Sequence, residues 1–172
     1  MQQDDGVKRF MRLVTSFAIR GCQEKADHHR RAYICLDEFA QLGPAFKPVT
    51  SGLATLRSAN IKLHVLTQNW GQMLENYPTS HGTFLANCDQ QYFGVNDHVT
   101  AKTISDQLGN FMEPMAEGRR FDRERPLRAP AEVLDDLRKG SGMSYVLPVN
   151  GLPMTIKLVP FNRMRRGYGT AK

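Results

Sequence analysis

Two short apolar runs in this chain end in residues equipped to handle a phosphate and a metal. The first, Ala32-Tyr33-Ile34-Cys35-Leu36, runs into two carboxylates, Asp37 and Glu38; the second, Ile61 to Thr67, ends at Gln68. The first, continuous run reads as a strand buried on both faces of a parallel sheet, and the second as another strand of it. Ligands of open α/β sheets gather outside the carboxyl ends of the strands. An Asp placed there can hold Mg²⁺ bridging nucleotide phosphates, and a Glu can orient and polarise an attacking water. A Gln at the same edge can hydrogen-bond both the terminal phosphate and that water. Arg57, closing the intervening helix, is a weaker candidate for a phosphate-stabilising or intersubunit cation, because a helix-end cation is favourable to the dipole without any such role. Apolar strands also end in acids because loops are polar, so Asp37-Glu38 alone is unspecific and Gln68 adds the weight.

The elements that must position these groups follow from periodicity. Val7 to Gly21 places Phe10, Met11, Leu13, Val14, Phe17 and Ala18 at helical spacing. A polar linker over 23–31, with His28 and His29, leads to the first strand. Turn residues Gly43, Pro44 and Pro48 precede a helix from Val49 to Ala59, then the second strand. Strand, helix and strand in that order make a right-handed crossover unit. Helices are predicted over 70–76 and 80–87, a third strand from Gln90 to Val95, and a helix from His98 to Leu108, capped by Asn96-Asp97 and stopped by Gly109.

Beyond Gly109 the character changes. Residues 111–130 are rich in Arg and Pro and read as an extended or mobile connection; Arg119, Arg120, Arg123, Arg125 and Arg128 interleave with Asp122 and Glu124, the pattern of a self-neutralising solvated loop more than of a DNA path. A short helix runs from Pro130 to Leu137. Residues 143–159 read as a C-terminal hairpin around Asn150-Gly151, and 160–172 as a frayed basic tail.

Composition narrows the classes. At 172 residues one domain is expected, and no stretch approaches the roughly 20 apolar residues of a membrane span. Met1 to Asp5 has no signal-peptide pattern, so the mature domain is expected to face the cytoplasm. Cys22, Cys35 and Cys88 lack C-x-x-C spacing and read as buried thiols. No histidine has metal-ligand spacing. The net charge of +6 is a mild bias toward anionic partners. Trp70, Tyr92, Phe111 and Phe121 fit core or interface positions better than base-stacking platforms.

Tyr33 to Gly43 (Y-I-C-L-D-E-F-A-Q-L-G) resembles the Walker B segment of TraG/TraD-like type IV secretion coupling proteins. Leu53 to Gln72 is similar to that family's helix and Gln-ended strand. Tyr77, Asn87, Asn96-Asp97 and Thr100 to Gly109 fall where the family has its Tyr, N-C, N-D and T-A-x-x-I-S-x-x-L-G; Arg125-Pro126-Leu127 with Glu132-Val133-Leu134 is similar to its element before the final hairpin. The likeness covers most of Tyr33 to Val159.

The resemblance implies a RecA-like P-loop ATPase sheet with flanking helices, present over 1–172 as its Walker B half. It implies a hexameric ATPase at the cytoplasmic face of the bacterial inner membrane, using ATP and Mg²⁺. Such a protein hands a relaxase–DNA complex or secreted proteins to the channel subunits, with the basic segments as candidate DNA contacts. By that likeness Asp37 serves the metal, Glu38 the water, and Gln68 the phosphate sensor.

One departure is decisive for chemistry: no Lys follows a Gly anywhere, so G-x-x-x-x-G-K-[ST] and its phosphate cradle are absent. The family's membrane helices and the insertion between its Walker motifs are absent too, so Met1 reads as an internal start or the mark of a truncated gene. The chain alone is expected to be soluble, to bind nucleotide weakly and not to hydrolyse ATP. A non-catalytic recruitment module of the secretion system, or part of an FtsK- or HerA-like DNA translocase, remains open as an alternative.

Overall fold

A computed structural model describes residues 5–25, 31–113 and 123–159. His28, His29, Arg119, Arg120, Phe121, Asp122 and the tail 160–172 lie outside the described residues. The chain divides into two compact units, 1–88 and 89–172.

In the first unit, α1 (Asp5–Glu24) precedes β1 (Ala32–Leu36), a 3₁₀ turn (Phe39–Leu42), α2 (Lys47–Thr50), α3 (Gly52–Ser58), β2 (Ile61–Val65), α4 (Trp70–Asn76) and α5 (His81–Asn87). β1 and β2 pair in parallel, Ala32 opposite Ile61 and Leu36 opposite Val65, so the crossover unit is present. The core gathers Ile19, Phe39, Phe46, Val49, Leu56, Ile61, Trp70, Met73, Tyr77 and Phe84.

β1 is not buried on both faces within the unit. Ile34 and Leu36 are half-buried while Tyr33 and Cys35 are exposed, and along β2 Lys62 and His64 are exposed. Successive side chains alternate between faces, and the helices of this unit cover only one of them. The reading of the cysteines as buried is corrected too: Cys35 sits on the open face of β1, and Cys22 and Cys88 are half-buried; among the described residues none forms a disulfide. The predicted helix 49–59 is two short helices, α2 and α3, which meet at Ser51.

α1 also departs from expectation. Its apolar positions Phe10, Leu13, Val14 and Phe17 are exposed, whereas Thr15 and Ile19 are buried. Arg12 is on the inward side: its Nη1 donates to the carbonyl oxygens of Leu42 and Pro44, both at 3.0 Å, and its guanidinium lies 5.2 Å over the Phe46 ring.

The second unit holds β3 (Gln90–Tyr92), α6 (His98–Leu108), β4 (Asn110–Glu113), β5 (Arg123–Pro126), α7 (Pro130–Leu137), β6 (Met143–Leu147) and β7 (Met154–Lys157). β3 is shorter than predicted, and it does not extend the parallel alternation. It pairs antiparallel with β6, which pairs antiparallel with β7. The hairpin is there, yet its loop runs from Pro148 to Pro153, wider than a two-residue turn. Those two prolines have no N–H to continue the ladder. Part of the stretch expected as a connection forms a second antiparallel pair, with Phe111 opposite Arg125 and Glu113 bonded to Arg125 at 3.1 Å.

α6 and α7 pack on this sheet around Val95, Ala101, Ile104, Val133, Leu137, Tyr145 and Leu147. Asp97 caps α6 by accepting from the Thr100 amide at 2.8 Å, and Gly109, at φ 76°, closes it in a left-handed conformation that glycine adopts without steric cost. Asp97→Ala is expected to destabilise the chain by about 1 kcal/mol, lowering the urea midpoint at unchanged slope; an unaltered midpoint contradicts the cap's contribution.

Candidate functional site

The carboxyl edge of the β1–β2 pair is built by backbone hydrogen bonds that run past the strands. The Leu66 amide donates to Leu36 O at 3.0 Å, and the Phe39 amide donates to Leu66 O at 2.9 Å. Asp37 and Glu38 are therefore held across from Leu66 and Thr67, one step from Gln68. All three predicted polar groups, Asp37, Glu38 and Gln68, lie at this one edge and are exposed.

Between Leu36 and Phe39 the chain must turn from strand to 3₁₀ helix in two residues. It does so through Glu38 at φ 48°, ψ 46°, the left-handed region. A non-glycine residue there is disfavoured by roughly 1–2 kcal/mol. Two contacts hold it: Asp37 Oδ1 accepts from the Glu38 amide at 3.0 Å, and Phe39 is fully buried. With one oxygen engaged, the other oxygen of Asp37 and both of Glu38 face solvent. Strain of this kind collects where a side chain must be aimed.

Gln68 is aimed by the next helix. Asn69 caps α4, its side chain accepting from the Gln72 amide at 2.9 Å. Gln72, one turn in, reaches back with Nε2 to Gln68 Oε1 and with Oε1 to the Gln68 amide, each at 3.4 Å. Gln72 was not singled out by pattern; its signal is the four-residue spacing from Gln68 across a helix start.

Arg57 is not brought to this edge. It sits exposed in the last turn of α3, its carbonyl accepting from the Asn60 amide just before β2 begins. A five-residue strand is about 13 Å long, so Arg57 belongs to the opposite end of the sheet. Of the aromatic residues, Trp70 is buried and Tyr92 half-buried, as a core role requires, but Phe111 is 39% exposed.

Donor chemistry fits Mg²⁺ at the Asp37 edge. Mg²⁺ takes hard oxygens, one or two carboxylates with the remaining positions filled by phosphate and water. Among the described residues no cluster of three His, Cys, Asp or Glu side chains forms a cage for an ion. None of their helices is long and apolar enough to cross a membrane.

Beneath the turn, Phe39, Tyr77 and Phe84 form an aromatic cluster with ring centroids 5.2–5.9 Å apart. Tyr77 is 1% exposed, and among the described residues its hydroxyl meets no partner in hydrogen-bonding geometry. Burial pushes its pKa up to about 12, offset only in part by the nearby Phe46 backbone and the Arg12 charge.

The family model that matches residues 31–133 is described as the TraM recognition site of TraD and TraG. Among solved structures, the chain is similar to an unbound form of the bacterial conjugative coupling protein TrwB, TrwBdeltaN70. Identity is 18% and the TM-score 0.67, over 84% of this chain and 35% of that one. Against the plasmid coupling protein TrwB in complex with ADP and Mg²⁺, the values are 20% and 0.60, covering 78% and 32%. Against TrwB in complex with the non-hydrolysable ATP analogue ADPNP they are 19% and 0.67, covering 90% and 38%. The chain spans about a third of the length of these structures. No curated protein matches it.

Tyr77→Phe removes the buried hydroxyl while keeping the ring stack. The folded state contributes Tyr77-linked stability fully below pH 10, and that stability is lost as pH rises from 10 toward 12. The variant is expected to equal or exceed the parent in stability at neutral pH, by up to about 1 kcal/mol, and to lose less of it between pH 10 and 12. Denaturant titrations at pH 8 and pH 11 measure both effects.

Proposed function

The chain belongs to the family of the TraM recognition site of TraD and TraG, and from that premise we propose that it is part of a conjugative coupling ATPase, supplying the metal and water side of an ATP site. The observation that carries this reading is the shared edge: parallel strands deliver Asp37, Glu38 and Gln68 side by side, on an arrangement of elements like that of TrwB.

On this reading β1 and β2 are strands of a RecA-like sheet and Tyr33 to Glu38 is its Walker B segment. Asp37 would hold Mg²⁺, and the metal with its nucleotide would supply a polarised terminal phosphate. Glu38 would orient and polarise the water, and the left-handed turn sets the direction in which its side chain leaves the backbone. Gln68, steadied by Gln72, would contact the phosphate and pass the nucleotide state to α4. Arg57, at the far end of β2, has no place in this site and is left with an intersubunit role.

The phosphate cradle has to come from elsewhere, since no Gly-Lys pair exists in the chain. That absence, together with the family's description as a recognition site, favours a second role for the region: recruitment of a TraM-type partner that brings the DNA complex to the coupling protein. Assembly into a hexamer at the membrane, and contacts with DNA and channel subunits, belong to the whole protein in this reading.

Isothermal calorimetry of this chain with ATP and Mg²⁺ should give no saturable heat, whereas a protein joining it to a phosphate loop should bind and hydrolyse. In that longer protein Glu38→Gln is expected to lower turnover by at least about a hundredfold, the scale of a lost general base, with nucleotide affinity retained. Unchanged turnover overturns the assignment.

A further inference from the structure

Where α1 passes the start of α2, a cavity of about 450 Å³ opens to solvent, lined among others by Arg9, Arg12, Leu13, Phe46, Lys47 and Pro48. Three of these are cations and no carboxylate lines the cavity. Among the described residues, Arg9, Arg12 and Lys47 form no ion pair. Arg12 is a fixed positive charge at the back of the groove, held by the carbonyls of Leu42 and Pro44. Arg9 and Lys47 are exposed at its rim. Leu13, Ala45 and Pro48 add apolar surface, and Ser16 and the buried Phe46 complete the lining.

The groove is continuous with the outer side of α1. Leu13 belongs to both, and beside it at helical spacing stand Phe10 and Phe17, 63% and 65% exposed. From Phe10 to Phe17 is about 10 Å along the axis, the length of two turns of a partner helix. Exposed apolar surface contiguous with an uncompensated cationic groove marks an interaction site.

Charge and apolarity together select the ligand. A nucleic-acid strand satisfies the three cations through its phosphates, but it leaves Leu13, Pro48 and the two exposed phenylalanines in water. An acidic amphipathic helix satisfies both: carboxylates reach Arg9 and Lys47, and apolar side chains on the next face lie along Leu13, Phe10 and Phe17. We propose that the groove between α1 and the start of α2 docks an acidic amphipathic helix of a partner protein. α1 lies outside the residues matched by the family model, and the proposal does not depend on the ATP-site reading.

The probe is a fluorescein-labelled peptide with Glu and Leu on adjacent faces at helical spacing, titrated into the full chain and read by fluorescence polarisation. Saturable binding that weakens with salt is expected. The double substitution Arg9→Glu with Lys47→Glu should weaken it roughly tenfold or more, as reversal of two partly solvated ion pairs requires. Leu13→Ser should weaken it without changing the salt dependence. All three positions are exposed, so circular dichroism should match the parent.

Several results overturn the proposal: equal binding of the peptide with every Glu replaced by Lys, affinity indifferent to the double charge reversal, or displacement of the peptide by a single-stranded oligonucleotide that binds more tightly. A chain that sediments as a dimer and binds no peptide also overturns it, assigning the face to a second copy. Hydrolysis in the longer protein is untouched by any of these, so the two readings fail separately.

Discussion

The amide of Phe39 bonds the carbonyl of Leu66 at 2.9 Å while the Phe39 ring lies fully buried against Tyr77 and Phe84. This one residue ties the end of β1 to the end of β2 and ties both to the helices α4 and α5. If the ring left the cluster, Glu38 would relax from its left-handed conformation and Asp37 would no longer face Leu66. The carboxylates are thus aimed by an apolar side chain that has no chemistry of its own. Burying a phenylalanine, about 3–5 kcal/mol by truncation, exceeds the roughly 1–2 kcal/mol of strain at Glu38, which is why the strained turn persists.

Much of this edge was legible in the sequence. Apolar runs bounded by polar residues gave β1 in full and β2 to within two residues, and Asp97, Gly109 and Pro130 marked helix ends that the structure keeps. These signals are local: a cap, a stop or a strand is written in the residues it contains. The placement of Asp37, Glu38 and Gln68 at one edge followed from the order strand, helix, strand, which allows only a parallel pairing.

The rest was not legible, because it depends on contacts between distant residues. Nothing near Gln90 says that its strand partner is Leu147, 57 positions on, or that the pairing is antiparallel. The pairing of β4 with β5 has no period-two pattern to announce it, since both strands are almost wholly exposed. Arg12 makes the same point at a single side chain. Its partners are backbone carbonyls some thirty residues away, and backbone carbonyls carry no signature in sequence. Periodicity identified the apolar side of α1 correctly and could not say which side the core would take.

That inverted helix bears on how the protein breathes. α1 is fastened mainly by Ile19, Thr15 and the two hydrogen bonds of Arg12, each charged bond worth about 1.5–3 kcal/mol. A protein helix owes most of its stability to tertiary packing of one face, and α1 packs through few side chains. Its amides are therefore expected to exchange through a local opening that leaves β1, β2 and the aromatic cluster closed. Anything that covers Phe10, Leu13 and Phe17 adds its binding free energy to that opening alone. Amide protection along α1, set against protection along β2, is a built-in gauge of whether the groove is filled.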